Sequence, residues 1–211
     1  DHQTAGRGQQ GNTWESERGK NLTFSLLCHP VFVKPSSQFL LSQCMALAVR
    51  EALAPHVAAV QVKWPNDIYI GDKKISGTLI ECDLQGGKIS SCIIGVGVNV
   101  NQEVFLSDAP NPVSLQQLTG RQTDREALLQ DIVRHFQHYY ARLREGREEE
   151  IRQAYMQCLY RRTGLYRYAD VRGEFMAEIA DVEPTGHLHL RFADGRVVRY
   201  EFKEVRFMLE N

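Results

Sequence analysis

The sequence predicts an α/β fold of the α+β type, with a meandering, mostly antiparallel sheet, flanking helices and a small terminal β domain. Strand-like segments follow one another between residues 59 and 101, and helix-like apolar spacing occurs on both sides of this region. The last ~50 residues change to short alternating segments. Because 211 residues exceed the ~100 to 150 of a usual compact domain, one large domain with a small appended one is the simplest organisation.

The first predicted elements are a strand and a helix. Leu22–Cys28 (LTFSLLC) has the composition of a buried strand. A helix follows, with Ser36 or Ser37 as its N-cap, and its apolar pattern continues until Pro55.

The sheet is predicted from four segments that are separated by turn residues. Gly71-Asp72 and Gly86-Gly87 are typical of tight hairpin turns, and such turns join strands that pair antiparallel. The four segments read AVQVKW, DIYI, KISGTLIEC and KISSCIIGVGVNVN.

Helices and a small β domain complete the chain. A short helix is expected around residues 114–118, and capping-box spacing at residues 123–126 begins a long amphipathic helix that ends near Gly146. A second helix is expected over residues 148–160. We place the domain boundary after residue 162, so that the domains are 1–162 and 163–211. About five short strands in the second domain suggest a small barrel or sandwich.

Composition excludes several classes of protein. A formal net charge of −1 provides no global basic field, so nucleic acid is not an expected partner. No apolar run reaches the ~18 residues of a membrane span, and no signal peptide pattern is present. The five cysteines form no Cys-x-x-Cys pair. We therefore expect buried thiols in a cytoplasmic protein with no membrane association.

A glycine-rich segment at residues 6–11 satisfies the pattern G-x-G-x-x-G. The dinucleotide-binding interpretation fails, because that fingerprint requires an apolar strand before it and an apolar helix after it, and both flanks here are polar. A glycine loop that carries Arg7 suits the binding of an anionic group through backbone N–H donors and one guanidinium. A plain surface loop explains the segment equally well.

Three other segments carry unusual residues. Residues 63–67 (KWPND) pack a cation, an aromatic ring, an amide and a carboxylate into one turn, and turn geometry explains neither the lysine nor the tryptophan. Lys74 follows a hairpin turn, where a solvated lysine is the ordinary explanation. Residues 95–101 (GVGVNVN) contain two glycines that permit close approach of a ligand, while a packed central strand leaves Asn99 unexplained. The residues alone therefore indicate an anion-handling enzyme.

Taken in this order, QTAGRGQQGNTW, KWPND, GDKKISGTLIE and GVGVNVN resemble the signature segments of biotin-protein ligases, also called biotin–(acetyl-CoA-carboxylase) ligases. The resemblance implies the class II synthetase-like biotin/lipoate ligase fold, in which helices flank a mixed, mostly antiparallel sheet. It also implies that the terminal β domain is a small SH3-like barrel.

The resemblance implies roles for particular residues. Arg7 and Lys74 would be the catalytic cations, Asp67 would hold Mg²⁺, and Lys63 and Asp67 would stabilise each other. The implied biotin-binding residues are Gln3, Arg7, Gly8, Gln9, Trp64 and Lys74. The implied ATP-binding residues are Arg7, Lys63, Asn66, Asp67, Lys74 and Asn99.

The activity that the resemblance implies uses ATP and Mg²⁺ to convert biotin to biotinoyl-5′-AMP, with release of pyrophosphate. Biotin then passes to a lysine of the biotin carboxyl carrier domain of a biotin-dependent carboxylase. Two alternatives are a lipoate or octanoate ligase and a biotin-sensing regulator without turnover. An exposed sheet edge would permit a homodimer.

The sequence departs from the family pattern in two places. Gln9 and Asn12 stand where basic residues are common, and we expect the adenylate to be held less tightly. The family also has a Ser/Thr-Thr-Asn segment upstream of the glutamine equivalent to Gln3, which contacts biotin, and this sequence does not contain it. We therefore expect part of the biotin pocket and one strand to be missing, and no helix-turn-helix domain for DNA binding is expected.

Overall fold

A computed structural model describes residues 3, 6–8, 13–107 and 109–209. Within these residues the chain forms one short hairpin, two five-stranded sheets and four α-helices. All pairings between strands are antiparallel, and parallel pairing occurs only as isolated bridges, from Val62 to Leu159 and from Lys74 to Pro112. The α+β class predicted from the sequence is confirmed.

The first sheet is a meander with the strand order β3-β7-β6-β5-β4. Both Gly71 and Gly86 have positive φ, which suits the tight turns between its consecutive strands. A separate hairpin of β1 and β2 precedes the sheet in the chain. The strands are β1 (Gly6–Arg7), β2 (Thr13–Trp14), β3 (Leu22–Cys28), β4 (Val60–Lys63), β5 (Asp67–Ile70), β6 (Lys73–Gln85) and β7 (Lys88–Val98).

Helices cover one face of this sheet. The central helix α1 is apolar on nearly all sides and is almost wholly buried, since α3, α4 and the sheet pack around it. The helix α3 instead buries one stripe, as its amphipathic spacing predicts. The helices are α1 (Phe39–Leu53), α2 (Leu115–Thr119), α3 (Arg125–Arg144) and α4 (Glu148–Gln157).

The predicted helix starts need two corrections. Neither Ser36 nor Ser37 caps α1, because both lie in a 3₁₀ turn that leads directly into the helix, and Gln38 occupies the cap position without a side-chain bond. The cap of α3 is Asp124, whose carboxylate accepts the N–H groups of residues 126 and 127. A capping box does form, but at Ser114, which begins α2 with Gln117 as its partner.

The second sheet contains the last five strands, in the order β11-β10-β9-β8-β12. The number of strands agrees with the number predicted from the sequence. Closure of the barrel and the domain boundary after residue 162 stay predictions. The strands are β8 (Tyr166–Asp170), β9 (Gly173–Val182), β10 (Leu188–Phe192), β11 (Val197–Tyr200) and β12 (Arg206–Phe207).

Two expectations about burial were wrong in part. The strand β3 is an edge strand of its sheet, so several of its side chains are partly exposed. All five cysteines are free thiols, but only Cys44, Cys92 and Cys158 are buried, whereas Cys28 and Cys82 are half-buried. Among the described residues, no helix combines the length and hydrophobicity that crossing a bilayer requires.

Candidate active site

A polar cleft of about 500 Å³ lies on the sheet face opposite α1. Its floor consists of alternate residues of adjacent strands, because side chains of a strand point to opposite faces in turn. Leu79 and Gly95 are one such pair across β6 and β7, whereas the next pair, Ile80 and Ile94, does not line the cleft. The turn before β5 and the hairpin of β1 and β2 complete the walls.

Two glycines, Gly77 and Gly97, face each other across β6 and β7 and form the centre of the floor. A Cβ atom on Gly97 would lie 2.4 Å from Cε2 of Trp14, and a Cβ atom on Gly77 would lie 3.2 Å from Asp67 Oδ1 and from Lys74 Nζ. The missing side chains therefore make the space that the indole ring and the charged pair occupy.

Trp14 lies over this floor at the end of β2. The centre of one of its rings is 5.9 Å from Nζ of Lys74, within the range of a cation–π contact. Its Nε1–H group is buried and has no hydrogen-bond partner among the described residues. Because Trp14 lines the cleft, a buried donor without a partner at this position suits a ligand with acceptor atoms.

A β-bulge turns Lys74 into the cleft. Along β5 and β6 the register changes between Ile68 and Tyr69, so that Ile75 is the extra residue. Ile75 is fully buried and Lys74 lines the cleft instead. The backbone of Lys74 is then fixed from its other side, since its N–H donates to Asn111 O at 2.8 Å and its carbonyl accepts from residue 113 at 2.9 Å.

The Lys74 ammonium forms an ion pair with Asp67, at 2.7 Å between Nζ and Oδ1. The two side chains keep 33% and 23% of their exposure, so the pair is accessible from the cleft. Asn66 lines the same wall, and its side-chain amide donates to the Thr78 carbonyl. The structure thus brings together Asn66, Asp67 and Lys74, three of the residues predicted from the sequence.

Lys63 does not line the cleft, in contrast to its predicted place beside ATP. Its ammonium donates to Tyr69 Oη at 2.9 Å and lies over the rings of Tyr69 and Phe207, at 4.5 and 5.5 Å from their centres. Burial lowers the pKa of Lys63, and the carboxylate of Asp67 opposes that shift in part. The direct partner of Asp67 is Lys74, so the expected Lys63–Asp67 pair is present only as a longer-range attraction.

Trp64 and Asn99 are also placed away from the cleft. The indole of Trp64 is buried, donates to Gly186 O at 2.9 Å and packs on Phe202, with 5.3 Å between ring centres. Asn99 is buried behind the lysine, and its Nδ2 donates to Val113 O at 3.1 Å. Its Oδ1 has no partner among the described residues.

The glycine-rich segment contributes where it is described. Gln3 and Gly8 line the cleft, and the backbone of Arg7 is in β1, paired with Thr13. The side chain of Arg7 and the whole of Gln9 lie outside the described residues, so their predicted contacts with biotin stay predictions.

Sequence reasoning missed Glu15, which ties β2 to the loop after β7. Its carboxylate accepts the N–H groups of Leu106 at 2.9 Å and Ser107 at 2.7 Å and the side-chain amide of Gln102 at 2.9 Å. Burial alone would raise the pKa of Glu15, and hydrogen bonds from these three residues outweigh it and lower the pKa. No spacing rule links residues that are ~90 positions apart, but a carboxylate directly after a motif tryptophan was the available signal.

The donor set fits a magnesium ion only together with phosphate ligands. No group of three or more His, Cys, Asp or Glu side chains that could hold a metal exists within the described ranges. Mg²⁺ in nucleotide sites commonly uses one or two carboxylates and completes its shell with phosphates and water. Asp67 and Glu81 are carboxylates that line the cleft, and Asp67, which pairs with Lys74, stays the predicted magnesium ligand.

A cleft with a cation, a carboxylate and a covering indole, on the open face of an antiparallel sheet, is suited in its chemistry to an anionic small molecule. Residues 1–99 match the family model described as the biotin/lipoate A/B protein ligase family. The match covers the segment of the chain that forms β1 to β7.

Relatives and solved structures point to one branch of the family. The bifunctional ligase/repressor BirA of Bacillus subtilis is 36% identical over 148 residues, which cover 66% of this chain and 44% of that protein. The biotin–(acetyl-CoA-carboxylase) ligase of Paracoccus denitrificans is 28% identical over 93% of this chain and 84% of its own length. The chain thus spans under half the length of the BirA relative.

A structure of the biotin protein ligase of Aquifex aeolicus, in complex with biotin and ATP, superposes with a TM-score of 0.80. It is 25% identical, and the match covers 99% of this chain and 87% of that one. The match therefore includes both sheets.

Proposed function

We propose that this chain is the catalytic part of a biotin-protein ligase, which activates biotin with ATP and transfers it to a lysine of a carrier domain. The observation that carries the proposal is the Lys74–Asp67 pair on a glycine floor beneath Trp14, within a segment of the biotin/lipoate ligase family. The similarity to a ligase that was solved with biotin and ATP supports the choice of both substrates.

The first half-reaction brings two anions together, since the biotin carboxylate attacks the α-phosphate of ATP. Negative charge grows on the phosphate oxygens in the transition state, and preorganised cations stabilise that charge. The Lys74 ammonium has three donors, of which the ion pair to Asp67 uses one, so it can bind both reacting groups. Arg7 would supply a second cation. A magnesium ion, when bound, adds further charge neutralisation on the phosphates.

The product of this step is a mixed anhydride, biotinoyl-5′-AMP, which must be shielded from water. Trp14 lies against Gly97 and covers the floor of the cleft, and the hairpin that carries it also carries Arg7. Exclusion of water strengthens the electrostatic interactions in the cleft and prevents hydrolysis. Gln3, Gly8 and Gln9 belong to the same segment, and we assign them with Arg7 to the biotin side of the cleft.

The second half-reaction needs no nucleophile from the enzyme, because the ε-amine of the acceptor lysine attacks the acyl carbon of the anhydride. An amide bond forms, the bond from the acyl carbon to the phosphate oxygen breaks, and AMP and a proton are released. We propose that the acceptor is a biotin carboxyl carrier domain of a biotin-dependent carboxylase. A cytoplasmic location is part of the proposal and is supported by five cysteines that are all free.

Biotin-dependent exchange of labelled pyrophosphate into ATP tests the first half-reaction directly. Lys74→Ala should lower the rate by ~10²- to 10³-fold, as for the loss of one preorganised charge-stabilising group. Lys73→Ala is the matched control, since this neighbouring residue is exposed and carries the same charge. Arg7→Ala is expected to behave like Lys74→Ala. Circular dichroism establishes that every variant is folded.

Three results would count against the proposal. Near-normal exchange in Lys74→Ala would remove the lysine from the mechanism. Exchange that depends on lipoate or octanoate and not on biotin would identify the other branch of the family. Exchange without transfer of labelled biotin to a purified carrier domain would contradict the proposed acceptor.

A further inference from the structure

Three cysteines form a row across the first sheet, far from the glycine floor. Cys28 of β3 is opposite Cys92 of β7, and Cys82 of β6 is opposite the same Cys92 on its other side. Residues that are directly opposite in antiparallel strands have Cα atoms about 4.5 to 5.5 Å apart, which falls within the span of a disulfide. The row lies five residue pairs along β6 and β7 from Gly77 and Gly97.

Cys92 is in contact with both of its neighbours, through its thiol on one side and its carbonyl oxygen on the other. Cys92 Sγ lies 3.0 Å from Cys82 Sγ, and Cys28 Sγ lies 3.7 Å from the carbonyl oxygen of Cys92. Hydrogen bonding with Cys92 lowers the pKa of Cys28, which makes Cys28 the competing partner for the central thiol. The contact between the two sulfur atoms nevertheless favours Cys82.

Access from solvent is available at the ends of the row only. Cys92 is fully buried, whereas Cys82 and Cys28 are half-buried. A small oxidant can therefore reach Cys82 and Cys28 before Cys92, and the sulfur of Cys92 lies within bonding reach of Cys82. The remaining two cysteines are not in strands, so no cysteine lies opposite them in a sheet. Cys44 is in α1 and Cys158 follows α4, and both are buried.

We propose that Cys82 and Cys92 are a redox-active pair, which a hydroperoxide converts to a cross-strand disulfide. The two thiols and one hydroperoxide ROOH give one disulfide, one alcohol ROH and one water. The peroxide oxidises the Cys82 thiol to a sulfenic acid, and the sulfur of Cys92 then displaces water from it. Thioredoxin-type dithiols reverse the reaction by exchange.

Counting thiols after treatment of the folded chain with hydrogen peroxide tests this pair. Free thiols should fall from five to three per chain and return to five with dithiothreitol. Cys82→Ser and Cys92→Ser should each keep all four of their thiols. The number of free thiols should fall from four to two in Cys28→Ser. The same fall is expected in Cys158→Ser, which is the matched buried control.

Peptide mapping identifies the bridge. Trypsin cleaves after Lys88, which separates Cys82 from Cys92, and Cys28 lies in a third peptide. A linked pair of peptides that contain Cys82 and Cys92 supports the proposal. A Cys28–Cys92 link, a loss of two thiols in Cys82→Ser, or an unchanged count of five in the parent chain would each overturn it. Because the readout is the thiol count, failure here is independent of ligase activity.

Discussion

Replacement of Gly97 by alanine should disable the cleft without unfolding the sheet. The new methyl group would lie 2.4 Å from Cε2 and 2.7 Å from Cζ2 of Trp14, distances that real Cβ atoms do not adopt. Residue 97 is extended backbone in the interior of β7, so the strand itself accepts alanine without strain. The indole must therefore move, and with it the hairpin that pairs Trp14 with Gly6.

The size of the effect follows from the overlap. Extra methyl groups in well-packed sites cost about 1 to 3 kcal/mol. We take this cost to apply only to the conformation in which the Trp14 indole packs against residue 97. The population of that conformation then falls by about 5- to 150-fold. Biotin-dependent pyrophosphate exchange should fall by a similar factor. The free energy of unfolding should change by under ~1 kcal/mol, because a short hairpin can shift while the sheet remains paired.

Gly95→Ala is the matched control, because it lies on the same face of the same strand. A Cβ atom there would meet Leu79 O at 3.6 Å and Ser25 Oγ at 3.9 Å, which are ordinary contacts. Pyrophosphate exchange assays give the relative activity of both variants, and urea unfolding gives their free energies of unfolding. An exchange rate of Gly97→Ala equal to that of the parent chain would refute the role of Trp14 as the cover of the floor.

Two further predictions concern the second sheet. Trp64→Phe removes the donor to the buried carbonyl of Gly186, so chemical unfolding should show a loss of about 1 to 3 kcal/mol. The KM for biotin should not change, and an increase would restore the predicted place of Trp64 in the biotin pocket. A hydrogen bond from Arg199 lowers the pKa of Glu183 to about 2, so its stabilisation is present above pH 4.5 and is lost as the pH falls towards 2. Glu183→Gln should therefore cost about 1 kcal/mol at pH 7, after allowance for solvent screening, and a deficit that persists at pH 2 would contradict this assignment.

Local pattern was sufficient for most elements of the fold. Alternation and hairpin glycines placed β3 to β7 to within a few residues, because burial of one sheet face imposes a period of two on the sequence. The helix caps were less predictable. Thr123 has capping-box spacing, yet the adjacent Asp124 accepts the first N–H groups, since either side chain can provide the acceptor and only the backbone path decides between them.

The orientation of Lys74 could not be predicted from alternation. A regular β6 places Lys74 on the same face as Ser76, which is fully buried. The bulge at Ile75 reverses the direction of the lysine, and the bond from Asn99 N to Ile75 O, at 2.9 Å, holds the extra residue in place. Sequence offers no signal for such a bulge, because the residues that hold it lie in a different part of the chain.

The KWPND motif divides between two sites, and this division separates its first two residues, whose binding roles stay predictions, from the cleft. Asn66 and Asp67 face the cleft, whereas Lys63 and Trp64 face the second sheet, where they contact Phe207 and Gly186 respectively.

The residues of a turn are close together in the chain, but their side chains point in different directions. Adjacent residues can therefore contact different partners. The Asp67 carboxylate that pairs with Lys74 is consequently connected, through four residues, to the indole that anchors the second sheet. The motif thus positions the cleft relative to that sheet, in addition to lining the cleft.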